Sequence, residues 1–299
     1  MASYYNENTV LFLNGEFVKA ADAKMDLYSQ SLHYGYSVFE GIRSYKTEDG
    51  TTKIFKATEH FDRFKASAEA INLPYTYNTE SLIESTNKLL ALNNLGDAYI
   101  RPVVYAPANM SFTQNTESFV FIQAWEMGPF LGDKRIRVMT SSFQRPNPKG
   151  FKIHAKAAGH YVNSIMASQE AKAAGYDEAL LLDMHDHVAE APGANVFFEK
   201  DGTLYTPSLG NILPGITRAT VIELCATHAI PVVETSFGID AIKGADAAFF
   251  CGTAAEVIGL ESIDDMPFTK NWDDTASKKI QSAYQKLVRT NKYNGKRIK

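Results

Sequence analysis

The chain has 299 residues, 45% of them hydrophobic and 21% charged, with 30 lysines and arginines against 34 aspartates and glutamates. A chain of this length can bury a core without disulfides or a structural metal, and its composition excludes disordered and collagen-like classes. The net charge of −4 provides no positive field for a phosphate backbone, so we expect no nucleic-acid partner.

The cysteine content and the apolar runs indicate a cytoplasmic protein. Cys225 and Cys251 each stand within an apolar run, where a small buried thiol packs well. The first ten residues are polar, and no uncharged stretch reaches the ~18 residues needed to cross a bilayer. We therefore expect neither export nor a membrane partner.

The predicted elements of the first half mix strands and helices, which indicates an α+β fold. In chain order they are a hairpin at 10–13 and 16–18 around Asn14-Gly15, strands at 37–45 and 51–55, helices at 58–73 and 79–93, and strands at 98–105 and 118–125. Thr58 is the expected N-cap of the first helix. These elements predict a small N-terminal domain of residues 1–126, followed by a Pro- and Gly-containing interdomain loop at 127–135.

The second half predicts a large C-terminal domain of residues 136–299. Its expected elements are a strand at 136–143, a helix from 161 to a C-cap at Gly175, short antiparallel strands at 178–183, 188–191, 196–200 and 203–206, a helix at 216–228, and strands at 231–237 and 246–252.

Arg63 projects from a helix face of small residues. Ala66, Ser67 and Ala70 share this face at helical spacing, whereas Phe61 and Phe64 belong to the apolar stripe. Such a face lets a ligand approach the guanidinium, although an exposed helical arginine explains the same pattern.

Lys156 has the most unusual surroundings of any lysine in the chain. Ala155, Ala157, Ala158 and Gly159 give its side chain a tight, apolar neighbourhood. Such surroundings favour the neutral amine that attacks an aldehyde in Schiff-base chemistry. A surface lysine before a helix is the alternative.

Two turns of small residues could bind an anion. Leu213-Pro214-Gly215 stands directly before the helix that begins at Ile216 and Thr217, and the free amides of a helix N-terminus can hold a phosphate. Gly252-Thr253-Ala254 follows an apolar strand and could add further N–H groups. Either turn alone is also a common structural feature.

Glu190 lies between apolar residues in the predicted strand 188–191. An unpaired carboxylate in such a strand is costly, so Glu190 requires a cationic partner. A protonated pyridine nitrogen and an arginine from elsewhere in the fold satisfy this requirement equally well.

Taken together, these motifs resemble the class IV (fold type IV) pyridoxal-phosphate aminotransferases, and within them the branched-chain amino acid aminotransferases. The resemblance covers nearly the whole chain. It rests on LFLNGE at 11–16, HYGYSVFEGIR at 33–43, YIRP at 99–102, KAAGHY at 156–161, LPGITR at 213–218 and GTAAE at 252–256.

The resemblance implies a two-domain fold like that of D-amino acid aminotransferase, with pyridoxal 5'-phosphate (PLP) as cofactor. Lys156 would carry PLP as a Schiff base and move the proton during catalysis. The other implied cofactor contacts are Tyr161 to the phenolic oxygen, Glu190 to the pyridine nitrogen, Leu213 against the ring, and Arg63, Ile216, Thr217 and Thr253 around the phosphate.

The resemblance also implies a substrate pocket. Tyr99 and the amides of Thr253 and Ala254 would bind the α-carboxylate, and Arg101 would meet the γ-carboxylate of glutamate. The other pocket residues implied in this way are Tyr34, Phe39, Gly41, Arg43, Met127 and Phe130. Met127 and Phe130 stand where bacterial members often have tryptophan and tyrosine, and His160 is a departure before the cofactor tyrosine.

The expected activity is reversible transamination between branched-chain L-amino acids (Leu, Ile and Val) and 2-oxoglutarate. The alternatives are another class IV enzyme, such as a D-amino acid or amine transaminase or aminodeoxychorismate lyase, and a non-catalytic protein that binds a phosphorylated small molecule. Family members form homodimers or dimer-based hexamers.

Asp183, His185, Asp186 and His187 cluster at a strand turn, where such side chains are usually solvated, so no metal is expected.

Overall fold

A computed structural model describes residues 4–128 and 134–290, and within these ranges the chain forms two compact units. The first unit contains 4–128, 155–159 and 288–290, and the second contains 134–154 and 160–287. This division differs from a single boundary at 127–135, because 155–159 and 288–290 pack with the N-terminal residues.

The first unit is built on an antiparallel sheet. Its strands, in chain order, are β1 (Val10–Leu13), β2 (Glu16–Lys19), β3 (Ser37–Phe39), β4 (Ile42–Lys46), β5 (Thr52–Ile54), β6 (Ala98–Tyr105) and β7 (Phe119–Glu126). They run in the order β2-β1-β7-β6-β4-β5, and β3 also pairs with β6. The helices of this unit are α1 (Gln30–Tyr34), α2 (Ala57–Ala70) and α3 (Thr79–Leu92).

The predicted hairpin at 10–18 is confirmed. Asn14 and Gly15 connect β1 to β2 with φ of 50° and 98°, the left-handed conformation that a two-residue hairpin turn requires. Asn and Gly adopt this conformation at little cost.

The predicted strand 37–45 is interrupted at Glu40 and Gly41. Both halves pair with β6 in one register, and Glu40 faces Pro102 across the sheet. Pro102 has no N–H to donate, so only the Glu40 amide bonds there, to the Pro102 carbonyl at 2.9 Å. The sequence prediction missed the interruption because its cause lies on another strand.

Helix α2 ends at Ala70, three residues before the predicted end. Asn72 adopts a φ of 58°, and the Leu73 amide donates to the Ala68 carbonyl at 2.9 Å. A hydrogen bond of this kind, formed around a residue in the left-handed conformation, ends an α-helix. Lys56 rather than Thr58 is the N-cap.

The core of the first unit lies where α2 and α3 cover the sheet. Phe61, Phe64 and Ala68 of α2 are fully buried, which confirms the predicted apolar stripe, and Leu89 of α3 joins them. This packing fixes α2, and therefore Arg63, against the strands.

The second unit is built on a mixed sheet that closes on itself. Its strands are β8 (Ile136–Gln144), β9 (Glu178–Leu182), β10 (Val188–Ala191), β11 (Ala194–Lys200), β12 (Thr203–Thr206), β13 (Val232–Glu234), β14 (Ala247–Gly252), β15 (Glu256–Ile263) and β16 (Met266–Pro267). Because β10 pairs with both β9 and β11, the strands β10-β9-β8-β15-β14-β11 form a closed ring. The helices are α4 (Tyr161–Ala173), α5 (Ile216–Thr227) and α6 (Ala276–Arg289), the last of which ends in the first unit.

The elements predicted for the second half up to residue 252 are confirmed within a few residues at each end. The strand predicted at 231–237 is shorter, and β13 runs parallel to β12. The α+β prediction is therefore confirmed. None of the helices within 4–128 and 134–290 is long and apolar enough to span a bilayer.

Candidate active site

The segment that carries Lys156 is fixed by its backbone in the first unit. The Phe39 amide donates to the Lys156 carbonyl at 3.1 Å, and the Lys156 amide donates to Ser67 Oγ at 3.0 Å. The small residues of this segment allow close approach, because a Cβ on Gly35 would lie 2.9 Å from the Gly159 Cα. The small-residue face of α2 therefore has a structural reason, since Ser67 holds the lysine segment.

The Phe39 ring brings two cationic side chains close together. The Lys156 Nζ lies 5.0 Å from the ring centroid, and the Arg101 Cζ lies 4.6 Å from it. Both are within cation–π distance. An amine and a guanidinium thus share one apolar ring.

Gly41 and Tyr99 form the next part of this cluster. A Cβ on Gly41 would lie 2.0 Å from the Tyr99 hydroxyl, so only glycine leaves room for the tyrosine. The Tyr99 hydroxyl accepts a hydrogen bond from Arg101 Nη2 at 3.1 Å. The structure therefore brings Phe39, Gly41, Tyr99 and Arg101 into one cluster, and the Phe39 ring connects this cluster to Lys156.

Arg63 is held by a buried carboxylate that the sequence analysis did not single out. Its Nε and Nη2 donate to the two oxygens of Glu40 at 2.7 and 2.9 Å. His60 Nδ1 lies 2.8 Å from Glu40 Oε2, and both Glu40 and His60 are buried. This bidentate contact fixes the plane of the guanidinium.

The charges of this cluster follow from its partners. Burial alone would raise the pKa of Glu40, but Arg63 and His60 outweigh it and hold the pKa well below its ordinary value. Burial lowers the pKa of His60, and the positive charges of Arg63 and Lys156 lower it further against the opposing effect of Glu40. Glu40 is therefore ionised and His60 neutral at neutral pH.

We expect the chain to lose stability as the pH falls below the ordinary His60 pKa of 6.5. The unfolded chain binds a proton there that the buried ring resists, so the stabilisation is present above that pH and is lost toward the lower folded-state pKa. Urea unfolding of His60→Gln at pH ~7.5 and ~5.5 should show a smaller difference than the wild type. His154→Gln removes an exposed ring and is the control; equal pH dependence in His60→Gln and wild type would contradict the assignment.

Two other predicted pocket residues, Arg43 and Tyr34, make contacts of their own. Arg43 is buried, and its Nη1 and Nη2 donate to the carbonyls of Gly128 and Met127 at 3.2 and 2.9 Å, so it fixes the backbone there. Tyr34 is exposed on α1, 5.3 Å from the Phe112 ring. Phe130 lies outside the described residues.

In the second unit, Glu190 is buried among donors. Its Oε1 accepts from the Leu213 amide at 3.0 Å, and its Oε2 accepts from Asn195 Nδ2 at 3.1 Å. Arg145 Nε lies 3.0 Å from Oε1 as an ion pair, although its N–H is not aimed as a hydrogen bond requires. The predicted need for a cation is confirmed, and within the second unit an arginine meets it.

The two predicted anion-binding turns lie on neighbouring elements of this unit. Gly215 is the N-cap of α5 without a side-chain cap, and Thr217 stands in the first turn. A Cβ on Gly215 would lie 2.0 Å from Asn195 Oδ1, and one on Gly252 would lie 3.0 Å from the Gly193 carbonyl. Asn195 of β11 pairs with Cys251 of β14. The turn that contains Thr253 and Ala254 comes directly after β14 in the chain.

Tyr161 and His160 open α4. Tyr161 is the first residue of the helix and is half-buried. The His160 ring is buried and packs edge-on against Phe151 at 5.1 Å. The departure at His160 therefore fills a packing position.

The cluster after β9 is a turn. Asp183 accepts from the amides of His185 and His187 at 2.8 and 3.0 Å and from Asn211 Nδ2 at 2.6 Å. In the part of the chain that the structure describes, no three His, Cys, Asp or Glu side chains are grouped to hold a metal.

The sequence analysis missed Glu40, His60, Arg145 and Asn195. Glu40 carried the same signal as Glu190, a carboxylate among Val38, Phe39 and Ile42. The partners of the two carboxylates come from distant positions, which a single sequence does not pair.

The chain resembles known proteins over almost its whole length. A branched-chain-amino-acid aminotransferase of Pseudomonas aeruginosa is 39% identical over 292 residues, which cover 96% of this chain and 95% of the relative. The family model for class IV aminotransferases matches residues 37–263. The chain belongs to the class IV aminotransferase family.

Two solved structures of branched-chain aminotransferases share the fold. The branched-chain aminotransferase of Thermoproteus uzoniensis with norvaline superposes with a TM-score of 0.91 at 36% identity, covering 95% of this chain and 97% of that one. The T.th. branched-chain amino acid aminotransferase complexed with N-(5'-phosphopyridoxyl)-L-glutamate gives a TM-score of 0.88 at 35% identity, covering 96% of each chain. The predicted fold type is thereby confirmed.

Proposed function

We propose that this chain transfers the amino group reversibly between branched-chain L-amino acids and 2-oxoglutarate, with PLP as its cofactor. The relatives named above carry this class of activity in their names. One of the two solved structures holds norvaline, and the other holds a phosphopyridoxyl adduct of glutamate. Apolar and acidic side chains therefore both belong to the chemistry of these relatives.

The proposal rests on the cation–π contacts that Lys156 and Arg101 both make with the Phe39 ring. Lys156 Nζ is the nucleophile that Schiff-base chemistry needs. Arg101 offers a guanidinium for a second carboxylate, and the Phe39 ring between them offers an apolar contact. A substrate with an apolar side chain and one with a γ-carboxylate can therefore both find a partner there.

The residues present fit a phosphorylated pyridine cofactor. Helix α5 has no side-chain cap, so its first amides suit an anion, and the Thr217 hydroxyl and the Thr253 turn add donors. Arg63 provides a guanidinium whose orientation Glu40 fixes. Leu213 provides an apolar contact for a ring, and Ile216 contributes the first helical amide.

When bound, PLP supplies a conjugated ring that takes up the electrons of the substrate Cα–H bond. Lys156 would hold it covalently, and its ε-amine would move the proton at Cα. Glu190 would keep the ring nitrogen protonated, and Tyr161 would donate to the phenolic oxygen. Tyr99 and the amides of Thr253 and Ala254 orient the α-carboxylate, while Tyr34, Gly41, Met127 and Phe130 remain proposed pocket residues.

Arg101→Leu tests this function. We expect the half-reaction with glutamate to slow about a hundredfold and that with leucine to change less than about threefold, because only glutamate has a γ-carboxylate to lose its partner. Single-turnover absorbance of the PLP-loaded enzyme with each donor measures the two rates. D-leucine tests the D-amino acid alternative, and Arg137→Leu, at an exposed position, is the control.

Equal losses for the two donors would contradict the role of Arg101. Faster turnover of D-leucine than of L-leucine would favour the D-amino acid alternative.

We further propose that the chain acts as a homodimer in the cytoplasm, alone or within a hexamer. Cys225 and Cys251 are buried free thiols, which suit a reducing compartment. In the first unit Leu27, Tyr28, Leu32 and Phe112 expose between 58% and 89% of their surface. This patch of α1 and its neighbouring loop is the kind of surface that a second copy covers.

The double variant Leu32→Asp/Phe112→Asp should dissociate the assembly. A carboxylate on each apolar position removes the apolar contact and adds like charges across a symmetric interface. Light scattering coupled to size exclusion measures the mass, and Leu92→Asp, which changes another exposed leucine of the same unit, is the control. An unchanged mass in the double variant would contradict the use of this patch.

A further inference from the structure

We propose that Arg145 is a positioning residue that keeps Glu190 ionised and so makes it a partner for a protonated ring nitrogen. The ion pair itself is independent of the proposed function, and only its consequence for the ring nitrogen rests on that function.

The strands of the closed ring bring the two residues together. Arg145 directly follows β8, and its amide donates to the Leu182 carbonyl of β9 at 2.8 Å. Glu190 of β10 faces Leu181 of the same β9. The two side chains therefore meet across β9, with Arg145 Nε 3.0 Å from Glu190 Oε1.

Burial makes this contact electrostatically strong. Arg145 is 9% exposed and Glu190 is 4% exposed, so little water screens either charge. The hydrogen bonds to Glu190 described above come from an amide N–H and the Asn195 Nδ2, and the Arg145 guanidinium adds an ion pair. Such a set suits an ionised carboxylate, which only accepts hydrogen bonds.

The charge of Glu190 decides what it can do to a ring nitrogen. An ionised carboxylate accepts the N–H of a protonated pyridine and retains its positive charge. A neutral carboxylic acid would instead donate its proton in a hydrogen bond and leave the ring uncharged. Arg145 selects the first state, because a carboxylate buried without a cation takes up a proton.

Asn195 connects this carboxylate to the phosphate end of the site. Its Nδ2 donates both to Glu190 Oε2 and to the Leu213 carbonyl at 3.1 Å. The Glu190 carboxylate also accepts the Leu213 amide, so both polar backbone groups of Leu213 are held. Fixing Glu190 therefore fixes the turn that opens α5.

A double-mutant cycle on the full-length chain, without added PLP, tests the ion pair. We expect Arg145→Leu to lower Tm by about 10 °C, because it leaves a carboxylate buried without its cation. Adding Glu190→Gln should restore at least about half of this loss, since the amide carries no charge to bury. If Arg145→Leu alone does not fold, the double variant still should.

The matched control is Arg137→Leu, the same change at an exposed position of β8. Glu190→Gln should not rescue it. Additive Tm losses for Arg145→Leu and Glu190→Gln, or failure of the double variant to fold, would overturn the proposal.

The PLP-loaded enzyme supplies the second readout. Arg145→Leu should slow the single-turnover reaction with leucine by at least about tenfold, and Arg145→Lys, which keeps a positive charge, should recover most of that rate. Equal rates for the Leu and Lys variants would contradict the role of the charge. If Glu190→Gln rescues Arg145→Leu as expected but the chain transaminates no donor, the proposed function is contradicted and the ion pair is still supported.

Discussion

Lys156→Ala is expected to abolish covalent attachment of PLP and to lower turnover by about a thousandfold or more. The variant loses both the nucleophile that holds the cofactor and the amine that moves the proton at Cα, two roles that act in one pathway. The measurement is the visible absorbance of the dialysed enzyme together with its rate with leucine and 2-oxoglutarate. The backbone contacts to Phe39 and Ser67 do not involve the side chain, so we expect the fold to persist.

Lys152→Ala is the matched control, because Lys152 is an exposed lysine four positions earlier. It should keep both the absorbance and the rate. A Lys156→Ala chain that retained covalent cofactor would require another lysine to carry it, and the assignment would then be wrong.

Glu190→Gln is expected to retain the cofactor and to slow proton removal from Cα on the order of a hundredfold. The amide has nearly the same shape but no charge, so the ring nitrogen loses the partner that keeps it protonated. Single-turnover rates with leucine and with Cα-deuterated leucine measure this step, and the isotope effect should be larger than in the wild type. A wild-type rate in the variant would exclude the proposed role of Glu190.

Glu261→Gln is the control for this change, because it removes an exposed carboxylate of the same unit, on β15. It should leave the rate and the isotope effect unaltered. A loss in both variants would indicate a general effect of lowering the negative charge.

The parts of the fold that depend on local rules were predictable. Asn14-Gly15 determines a hairpin turn, and the alternation and periodicity of the following segments predict most strands and helices. Two predicted elements were too long. One was interrupted by a residue on another strand, and the other was shortened by the backbone conformation of a single residue. Pro102 interrupts a strand from across the sheet, and the left-handed Asn72 ends α2 early. The predicted elements end at residue 252, and β15 and α6 follow them.

The site was predictable where a residue's own neighbours reveal it. The small residues beside Lys156 and the turn before α5 belong to this class, and at Gly215 the structure shows why no side chain fits. The partners of buried charges belong to another class. Glu40 meets Arg63 only because α2 packs beside β3, and Glu190 meets Arg145 only because β9 lies between their strands. Burial alone predicts that a cation is needed, but it does not name one.

The most direct test of the account is to find where the cofactor attaches. The full-length chain is loaded with PLP, reduced with borohydride, digested and analysed by mass spectrometry. We predict one modified peptide, with the phosphopyridoxyl group on the ε-nitrogen of Lys156, and no modification when the Lys156→Ala variant is treated in the same way. A modification on a different lysine, or none on a chain that transaminates leucine, would contradict the account.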